Sequence, residues 1–473
     1  MIARETRMRD LQNRIDQVNQ FNNKNFGTLV KEQKKFISTD FRKMVGDLGG
    51  RNTSDLRNEI GQNHSQKGYI DINFQNLLTA KIIGEAILNL QRGSAPGVDN
   101  TDVYKIMRYG RDYCFSLYNK IMNHTYKAAP YKIVKKPKDQ ANPLDFREIG
   151  IFTTQDKIVQ RIISEILEQI FEPQFVDNSF GYRVGRSFSN AAEYIESELN
   201  KGEFEYAVVI DIRKYFDSIP HPNLMSILRE HIYDPELLNQ IEGFLKSIKK
   251  IDAVMAENSV GTPQGSILGP ILSNIFLHTI LDIPLLQKYE NTAYVRFADD
   301  FICFTKTQEE ANEIKRFISE VLNNNHLHIS IKNGEPIRNS KVEPIFFVGY
   351  KIEFKEDKYV VLPSPEKIRK RQIKLLDSIG SAIDINLFLF DFRGYKDVPK
   401  KTLNTNYFSM IDKYKSSLNN YLNRDQDIEA VREINNAFIP ELLEVLFSKK
   451  MENYQRRDVR NYAERKLVKS LGR

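Results

Sequence analysis

The sequence is poor in cysteine: Cys114 and Cys303 are the only two among 473 residues. Two thiols cannot build a disulfide framework or a four-thiolate zinc site. Their scarcity is typical of proteins from a reducing compartment.

The sequence also lacks long apolar runs. We find none that approaches the ~20 residues of a membrane span. The stretch from Met1 to Lys24 is densely polar and has no signal-peptide core. We therefore expect a cytoplasmic protein with no membrane partner.

The composition is typical of a large globular protein with a net positive charge. The length predicts roughly three domain-sized units. Hydrophobic residues make up 41% and charged residues 28%, and the net charge is +7. The basic residues cluster, which permits a nucleic-acid partner without establishing one.

Two adjacent carboxylates, Asp299 and Asp300, interrupt the stretch from Ala293 to Phe304. The β-branched and aromatic residues on either side predict two strands, with Ala298-Asp299-Asp300 at the turn of a hairpin. Two like charges ~4 Å apart repel by ~4 kcal/mol at an effective dielectric near 20. A cation such as Mg²⁺ would offset that repulsion, although an ordinary solvated turn is the better interpretation of these residues alone.

A third acid, Asp211, follows the apolar run that begins at Tyr206. This pattern predicts a buried strand that delivers one carboxylate at its end. Asp211 could instead cap a helix, and both roles are compatible if the strand ends at a turn.

Basic and glycine-rich segments surround these acids in the sequence. Four lysines alternate with apolar residues from Tyr131 to Lys138, which predicts a strand with one cationic face, and Lys138 and Arg147 could flank one pocket. The Gly-bounded loop Ser179–Ser187 carries Arg183 and Arg186, which suit phosphate. Solvated surface charge is the simpler alternative for the lysines.

Other patterns predict the remaining elements. Helical spacing of apolar residues indicates helices at Met8–Phe21, at about Phe74–Leu90, from Gln155, through Asn274 to Leu281, and from Ser364, where Ser-Pro starts a helix well. Phe346–Tyr350 is predicted to be one short strand, and Arg393–Lys401 a linker.

The order of these blocks resembles that of reverse transcriptases, specifically the bacterial group II intron-like branch. Tyr294-Val-Arg-Phe-Ala-Asp-Asp-Phe301 is similar to that branch's Tyr-Ala-Asp-Asp block, with Phe297 where tyrosine is usual. Gly261–Ser266 resembles its Pro-Gln-Gly block, and Phe346–Tyr350 its primer-grip block. The likeness extends over roughly Gly93 to Lys374.

The resemblance implies an α+β right-hand polymerase with an antiparallel palm sheet. It implies a helical N-terminal extension (1–92), fingers (93–205), a palm with interleaved fingers elements (206–362), and a thumb with a basic helical C-terminal region (363–473). The implied activity is RNA-directed DNA synthesis from dNTPs with two Mg²⁺ ions, for which Mn²⁺ could substitute.

The resemblance also implies roles for individual residues. The catalytic acids would be Asp211, Asp299 and Asp300, and these with Ile212 would bind the metals. Nucleotide contacts would come from Lys138, Arg147, Phe216, Gln264, Gly265 and Lys332, with Phe216 excluding a ribose 2′-hydroxyl. Nucleic-acid contacts are expected from Arg183, Arg186, Gly349, Tyr350, Arg369, Lys370 and Arg371.

Departures from the family patterns reduce the number of reverse transcriptase branches that the sequence resembles. No histidine follows His328 and no cysteine follows Cys303, so the metal nuclease of many group II intron proteins is not expected. The retron signatures are missing too, since Tyr194 stands where they have histidine. What remains is most similar to stand-alone, defence-associated reverse transcriptases that work with a noncoding RNA.

Two other classes stay open. Asp211 and Asp217 echo the paired acids of RNA-directed RNA polymerases, although the bulky Phe216 disfavours a 2′-hydroxyl. A splicing maturase is the second alternative, disfavoured as a sole role by the presence of all three acids. Expected partners are an RNA template, a DNA product, and a second copy of the chain or a second protein.

Overall fold

The computed structural model describes residues 33–67, 69, 73–139, 142–251, 254–290, 292–330, 336–378, 410–447, 461 and 463–469. The predicted helix at Met8–Phe21, the linker Arg393–Lys401 and Lys332 lie outside these residues.

Helices make up most of the described chain. In chain order they are α1 (33–46), α2 (Thr53–Lys67), α3 (Phe74–Leu77), α4 (Ala80–Asn89), α5 (Val103–Met122), α6 (Thr154–Phe171), α7 (Phe188–Leu199), α8 (Tyr215–Ser218), α9 (His221–His231), α10 (Pro235–Leu245), α11 (Gly269–Leu277), α12 (Ile283–Lys288), α13 (Gln308–Asn324), α14 (365–378), α15 (410–417) and α16 (Asp425–Phe447). A π-helix, His278–Asp282, joins α11 to α12, and a short 3₁₀ helix, Asn419–Tyr421, precedes α16.

Eleven strands form three sheets within the described residues. The strands are β1 (Tyr131–Asp139), β2 (Asn142–Ile151), β3 (Tyr206–Asp211), β4 (Ile248–Ile251), β5 (Val254–Glu257), β6 (Ala293–Phe297), β7 (Asp300–Thr305), β8 (Ile337–Asn339), β9 (Ile345–Phe347), β10 (Tyr350–Lys355) and β11 (Lys358–Pro363). The sheet orders are β2-β1-β4-β5, β6-β7-β3-β8 and β11-β10-β9. All pairs except β1 with β4 are antiparallel, which confirms the α+β class.

The described residues divide into two compact units. Unit 1 holds those up to Phe175 together with Lys214–Phe276, and unit 2 holds Val176–Arg213 and those from Leu277 onward. The expected fingers, palm and thumb boundaries remain predictions, because this division by compactness follows different limits.

Helix α6 forms the centre of unit 1. Its apolar positions are almost completely buried, and α2 and α4 pack against it. Thr153 caps the helix by accepting from the Asp156 amide at 3.1 Å. The Asp156 carboxylate in turn accepts hydrogen bonds from the hydroxyls of Tyr126 and Thr153, both at 2.7 Å. Side-chain caps of this kind typically contribute ~1 kcal/mol.

Unit 2 is built on the sheet β6-β7-β3-β8. Its core joins the buried face of this sheet to α7, to the sheet β11-β10-β9 and to the helices near the C-terminus. The burial of β7, which is complete from Phe301 to Thr305, explains the nearly continuous apolar run in its sequence.

Two sequence predictions need correction. The helix expected at about Phe74–Leu90 is broken, because Leu78 is extended and Thr79 begins a new helix by capping the Ile82 amide. The single strand expected at Phe346–Tyr350 is a hairpin corner, because Val348 and Gly349 both have positive φ, 41° and 90°. Successive positive φ angles suit the tight turns that join antiparallel strands, and glycine adopts them without a steric cost.

One helical segment among the described residues, Gly269–Lys288, has the length and composition to cross a membrane. The sequence alone predicts no apolar run of this length. Within the fold, 67% of its most apolar window is buried inside the protein, as in a core helix.

Candidate active site

The acids Asp211 and Asp300 face each other across two neighbouring strands. Strands β3 and β7 are antiparallel, and their register makes Asp211 and Asp300 directly opposed partners. Opposed residues in such a ladder project to the same face, with Cβ atoms ~4.5–5.5 Å apart. Asp211 is half-buried and Asp300 is exposed, so the pair lies where a cation and solvent can reach it.

The third acid, Asp299, lies in the turn between β6 and β7. The predicted hairpin is confirmed, with Phe297 paired to Asp300 and only two residues between the strands. The first of these, Ala298, is buried and has a φ of 59°. This left-handed conformation costs an alanine ~1 kcal/mol or more, so the surrounding structure must enforce it.

The loop before α7 braces this turn. The Phe180 amide donates to the Arg296 carbonyl at 2.9 Å, and the Arg296 amide donates to the Asn178 carbonyl at 2.9 Å. A Cβ on Gly181 would lie 2.2 Å from the Ala298 nitrogen, so only glycine permits this close approach. The glycine-bounded loop noted in the sequence therefore contacts the acid-bearing turn itself.

A buried ion pair fixes the same hairpin from within. Arg296 and Asp282 are both fully buried, and the Arg296 Nη2 atom lies 2.6 Å from Asp282 Oδ2. Tyr294 donates its hydroxyl to Asp282 at 2.6 Å, while Arg296 Nη1 donates to the Ala298 carbonyl at 3.1 Å. Burial raises the pKa of Asp282, but the Arg296 charge and the hydrogen bonds that its carboxylate accepts outweigh burial and hold that pKa below its usual value.

A cleft of about 580 Å³ opens beside the acids. We call it the acid cleft, and its wall includes Asp211, Asp300, Arg338, Gly349, Lys367, Lys370, Arg371 and Tyr421. Two carboxylates therefore share one concave surface with several cations, an arrangement that suits a ligand carrying both a metal ion and phosphates.

The donors in this cleft fit a hard cation. Among the described residues, no three His, Cys, Asp or Glu side chains converge closely enough to hold a metal ion by themselves. Mg²⁺ usually needs only one or two carboxylates and completes its shell with water and substrate phosphates. Asp211 and Asp300, with Asp299 adjacent on the turn, meet that requirement. Ile212 is buried and forms a β-bridge with Ile329.

Three predicted nucleotide-binding residues lie together in unit 1. The Phe216 carbonyl accepts from the Thr262 amide at 2.6 Å, and Gln264 Nε2 lies 3.5 Å from Asp217 Oδ2. The Gln264 carbonyl accepts from the Gly150 amide at 2.6 Å. A Cβ on Gly265 would lie 2.5 Å from the Gly150 carbonyl oxygen. The glycine-rich loop is thus shaped by its packing on α8 and on the end of β2.

Two further predicted nucleotide-binding residues, Arg147 and Lys138, belong to the basic hairpin β1–β2. Arg147 is exposed and is paired in register with Lys136, one residue before an irregularity between Pro137 and Asp139. Lys138 belongs to the same strand. Their predicted role in holding phosphates remains a prediction, as does that of Lys332.

Both loop arginines form contacts within unit 2. Arg183 is buried, and its Nη1 atom donates to the Val176 and Ser179 carbonyls at 2.6 and 2.8 Å. Arg186 pairs with Asp177 at 2.9 Å and lies over the Phe180 ring. Both side chains stabilise the loop that braces Ala298, and nucleic-acid contact remains a prediction for them.

Helix α14 divides its basic residues between two surfaces. Arg369 forms a two-pronged ion pair with Glu441 of α16, at 2.5 and 2.7 Å. Lys367, Lys370 and Arg371 instead lie on the wall of the acid cleft. Sequence reasoning missed Lys367 as a site residue, although its three-residue spacing from Lys370 would have placed both on one helical face.

Tyr350 and Tyr421 are two of the aromatic residues on the wall of the cleft. Tyr350 is buried and donates its hydroxyl to Asp427 at 3.0 Å. Its ring lies 5.4 Å from that of Tyr421. No motif in the sequence pointed to Tyr421, because it approaches the cleft only through the tertiary fold.

Part of the chain is similar to known proteins. Residues 134–352 match the family described as reverse transcriptase (RNA-dependent DNA polymerase). The chain is 31% identical over 248 residues to the group II intron-encoded protein LtrA of Lactococcus lactis subsp. cremoris, covering 51% of this chain and 37% of LtrA. It is 26% identical over 243 residues to a probable RNA-directed DNA polymerase from transposon X-element of Drosophila melanogaster, covering 47% and 26% of the two chains.

Among solved structures, telomerase from Candida albicans matches with a TM-score of 0.41 and 14% identity, over 73% of this chain and 64% of the telomerase chain. The chain spans only about a third of the length of LtrA, its first-named relative. Residues 134–352, which match the reverse transcriptase family, include β3, β6 and β7 with their three acids.

Proposed function

We propose that the protein is an RNA-directed DNA polymerase that extends a primer with dNTPs on an RNA template. The observation that carries the proposal is the opposed pair Asp211 and Asp300 on the wall of a cleft that also holds Lys367, Lys370 and Arg371. The names of its relatives support the same reaction, since one is described as an RNA-directed DNA polymerase.

The chemistry divides between the acids and the cations. Two Mg²⁺ ions would supply activation of the primer 3′-hydroxyl and stabilisation of the leaving group. Asp211, Asp299 and Asp300 would hold those ions, and their places at two strand ends and in the β6–β7 turn would keep the carboxylates in position without reorganisation. The cationic wall would neutralise phosphate charge along the nucleic acid, and Phe216 is predicted to select the sugar.

Primer extension on a defined RNA template tests this function. Purified full-length protein should incorporate dNTPs in the presence of Mg²⁺, and a chelator should abolish the reaction. Incorporation of ribonucleotides at an equal or higher rate would instead identify an RNA polymerase. Absence of any incorporation with either nucleotide set, by folded protein on several primer types, would contradict the proposal.

We further infer a cytoplasmic, defence-associated role with a dedicated noncoding RNA. Its support is the resemblance of the motif blocks to those of stand-alone reverse transcriptases. Two measurements test it: sequencing of RNA that copurifies with the protein, and phage plating on cells carrying wild-type or Asp211→Asn protein. Equal plating on both strains, with no enriched RNA, would leave intron mobility as the better account.

A further inference from the structure

The turn Val348–Gly349, between β9 and β10, forms part of the acid cleft together with Asp211 and Asp300. The Gly349 carbonyl accepts from the Ser364 amide at 2.9 Å, directly before the basic helix α14. The backbone position of this turn is therefore tied to the start of the helix that carries Lys367 and Lys370.

Tyr421, far along the chain, fills the space on the other side of the same glycine. A Cβ built on Gly349 would lie 2.3 Å from the Tyr421 hydroxyl oxygen and 3.2 Å from its Cζ. Real Cβ atoms essentially never approach another heavy atom so closely, so the hydroxyl occupies a place that only glycine leaves open. Tyr421 is buried, with 4% of its surface exposed.

Arg371 holds Tyr421 in that place. Its Nη1 atom donates to the Tyr421 hydroxyl at 3.2 Å, and its guanidinium lies 4.9 Å from the centre of the Tyr421 ring. The Tyr350 ring lies 5.4 Å away on the strand that follows the turn. Hydrogen bond, cation–π contact and aromatic contact together fix the hydroxyl beneath the turn.

We propose that Tyr421 is a positioning residue of the acid cleft: through Arg371 and its contact with Gly349, it sets the height of the Val348–Gly349 turn against which the primer–template lies. This inference rests on the proposed function, since it concerns how nucleic acid is held beside the acids. It makes the region after residue 410 part of the polymerase machinery.

A double-mutant cycle between Gly349 and Tyr421 tests the contact. Gly349→Ala inserts a methyl against the hydroxyl and also strains a backbone with φ of 90°. Tyr421→Phe removes only the hydroxyl. The backbone strain is common to Gly349→Ala in both backgrounds, so the cycle isolates the clash.

The primary readout is primer–template affinity, measured by fluorescence anisotropy on full-length protein. Gly349→Ala should weaken binding. Adding Tyr421→Phe to this variant should raise its affinity for primer–template by at least about threefold, as expected for residues in contact. Strictly additive effects would overturn the proposal. This readout does not depend on turnover, so an inactive wild type would count against the proposed function and leave the cycle interpretable.

Steady-state kinetics separate positioning from general damage. Tyr421→Phe should raise the KM for primer–template more than the KM for dNTP, because the turn contacts the nucleic acid. The matched control is Tyr414→Phe, which removes another buried hydroxyl, one that donates to Asn435 at 2.6 Å. An equal rise in both variants would mean that Tyr421 only stabilises the fold, and would contradict the proposal.

Discussion

The side chain of Phe216 is predicted to determine which nucleotide sugar the protein accepts. It is half-buried in the short helix α8 and lies edge-on to Tyr215 at 5.7 Å. The sequence predicts that its ring excludes a 2′-hydroxyl, but an aromatic residue in this position could equally serve packing.

Replacing Phe216 by Val should therefore change sugar selection. Removing the ring opens space beside the nucleotide, and ribonucleotide use should rise relative to deoxyribonucleotide use by roughly tenfold. The measurement is kcat/KM for a matched dNTP and rNTP on one template, with Tyr215→Phe as the control. An unchanged ratio would mean that Phe216 is a packing residue.

Ionisation of Asp156 opposes the fold. Burial raises its pKa to about 6, against the stabilising hydrogen bonds from Thr153, Tyr126 and Ala129. An acid whose pKa is higher in the folded state binds more protons when folded between about pH 4 and pH 6. Its stabilising contribution is complete below about pH 4 and is lost as pH rises through about 6.

Lowering the pH from 7 to 5 should thus raise the free energy of unfolding of the wild type relative to that of Asp156→Asn. The full difference corresponds to about 3 kcal/mol for a shift of this size, and part of it appears by pH 5. Thermal unfolding of both proteins across this range measures it, because the other titrating groups cancel in the comparison. Parallel pH profiles would show that Asp156 ionises normally.

At the scale of elements, the acid-bearing hairpin depends on its buried ion pair. Removing one partner of such a pair leaves an uncompensated charge and typically costs ~3–5 kcal/mol. Arg296→Met should destabilise unit 2 by this amount and disturb the Ala298 turn that Arg296 contacts.

The matched control for Arg296→Met is Lys201→Met, since Lys201 pairs with Glu198 at the surface with 67% of its side chain exposed. Exposed pairs contribute at most ~1 kcal/mol. Urea denaturation of the two variants should separate them clearly. Similar midpoints would mean that the hairpin does not rely on the buried pair.

Helix α14 gives a second prediction at this scale. The sequence predicts nucleic-acid contacts for Arg369, Lys370 and Arg371 alike. In the structure, however, Arg369 forms an ion pair with Glu441 of α16. Neutralising Lys367 and Lys370 should lower the salt slope of RNA binding by roughly 1.4–1.8, at ~0.7–0.9 per lost phosphate contact. Arg369→Gln, measured over the same salt series, should leave the slope unchanged. Equal slopes for all three proteins would remove α14 from the binding surface.

These elements show what the sequence could and could not predict. The hairpin at Asp299 and the strand ending at Asp211 were predictable, because apolar strand patterns stop abruptly at charged residues. The turn at Val348–Gly349, the ion pair of Arg369 and the place of Tyr421 were not, since each depends on residues distant in sequence. Local patterns give elements, whereas side-chain partners come from tertiary packing.

At the scale of the whole molecule, the α+β class is confirmed, and residues 134–352 match the reverse transcriptase family. The three acids and the basic helix belong to unit 2, and Arg147, Phe216 and Gln264 belong to unit 1. The roles assigned to these residues, the domain boundaries and the defence role stay predictions, and their tests use the full chain.

The central claim is that Asp211 belongs to a polymerase active site. The direct measurement is single-turnover incorporation of one dNTP on an RNA template by wild type, Asp211→Asn and the exposed control Asp377→Asn. Asparagine keeps the shape but loses the charge, so Asp211→Asn should slow incorporation by at least about a hundredfold with primer–template binding retained. The control should react at the wild-type rate. Near wild-type incorporation by folded Asp211→Asn would contradict the assignment.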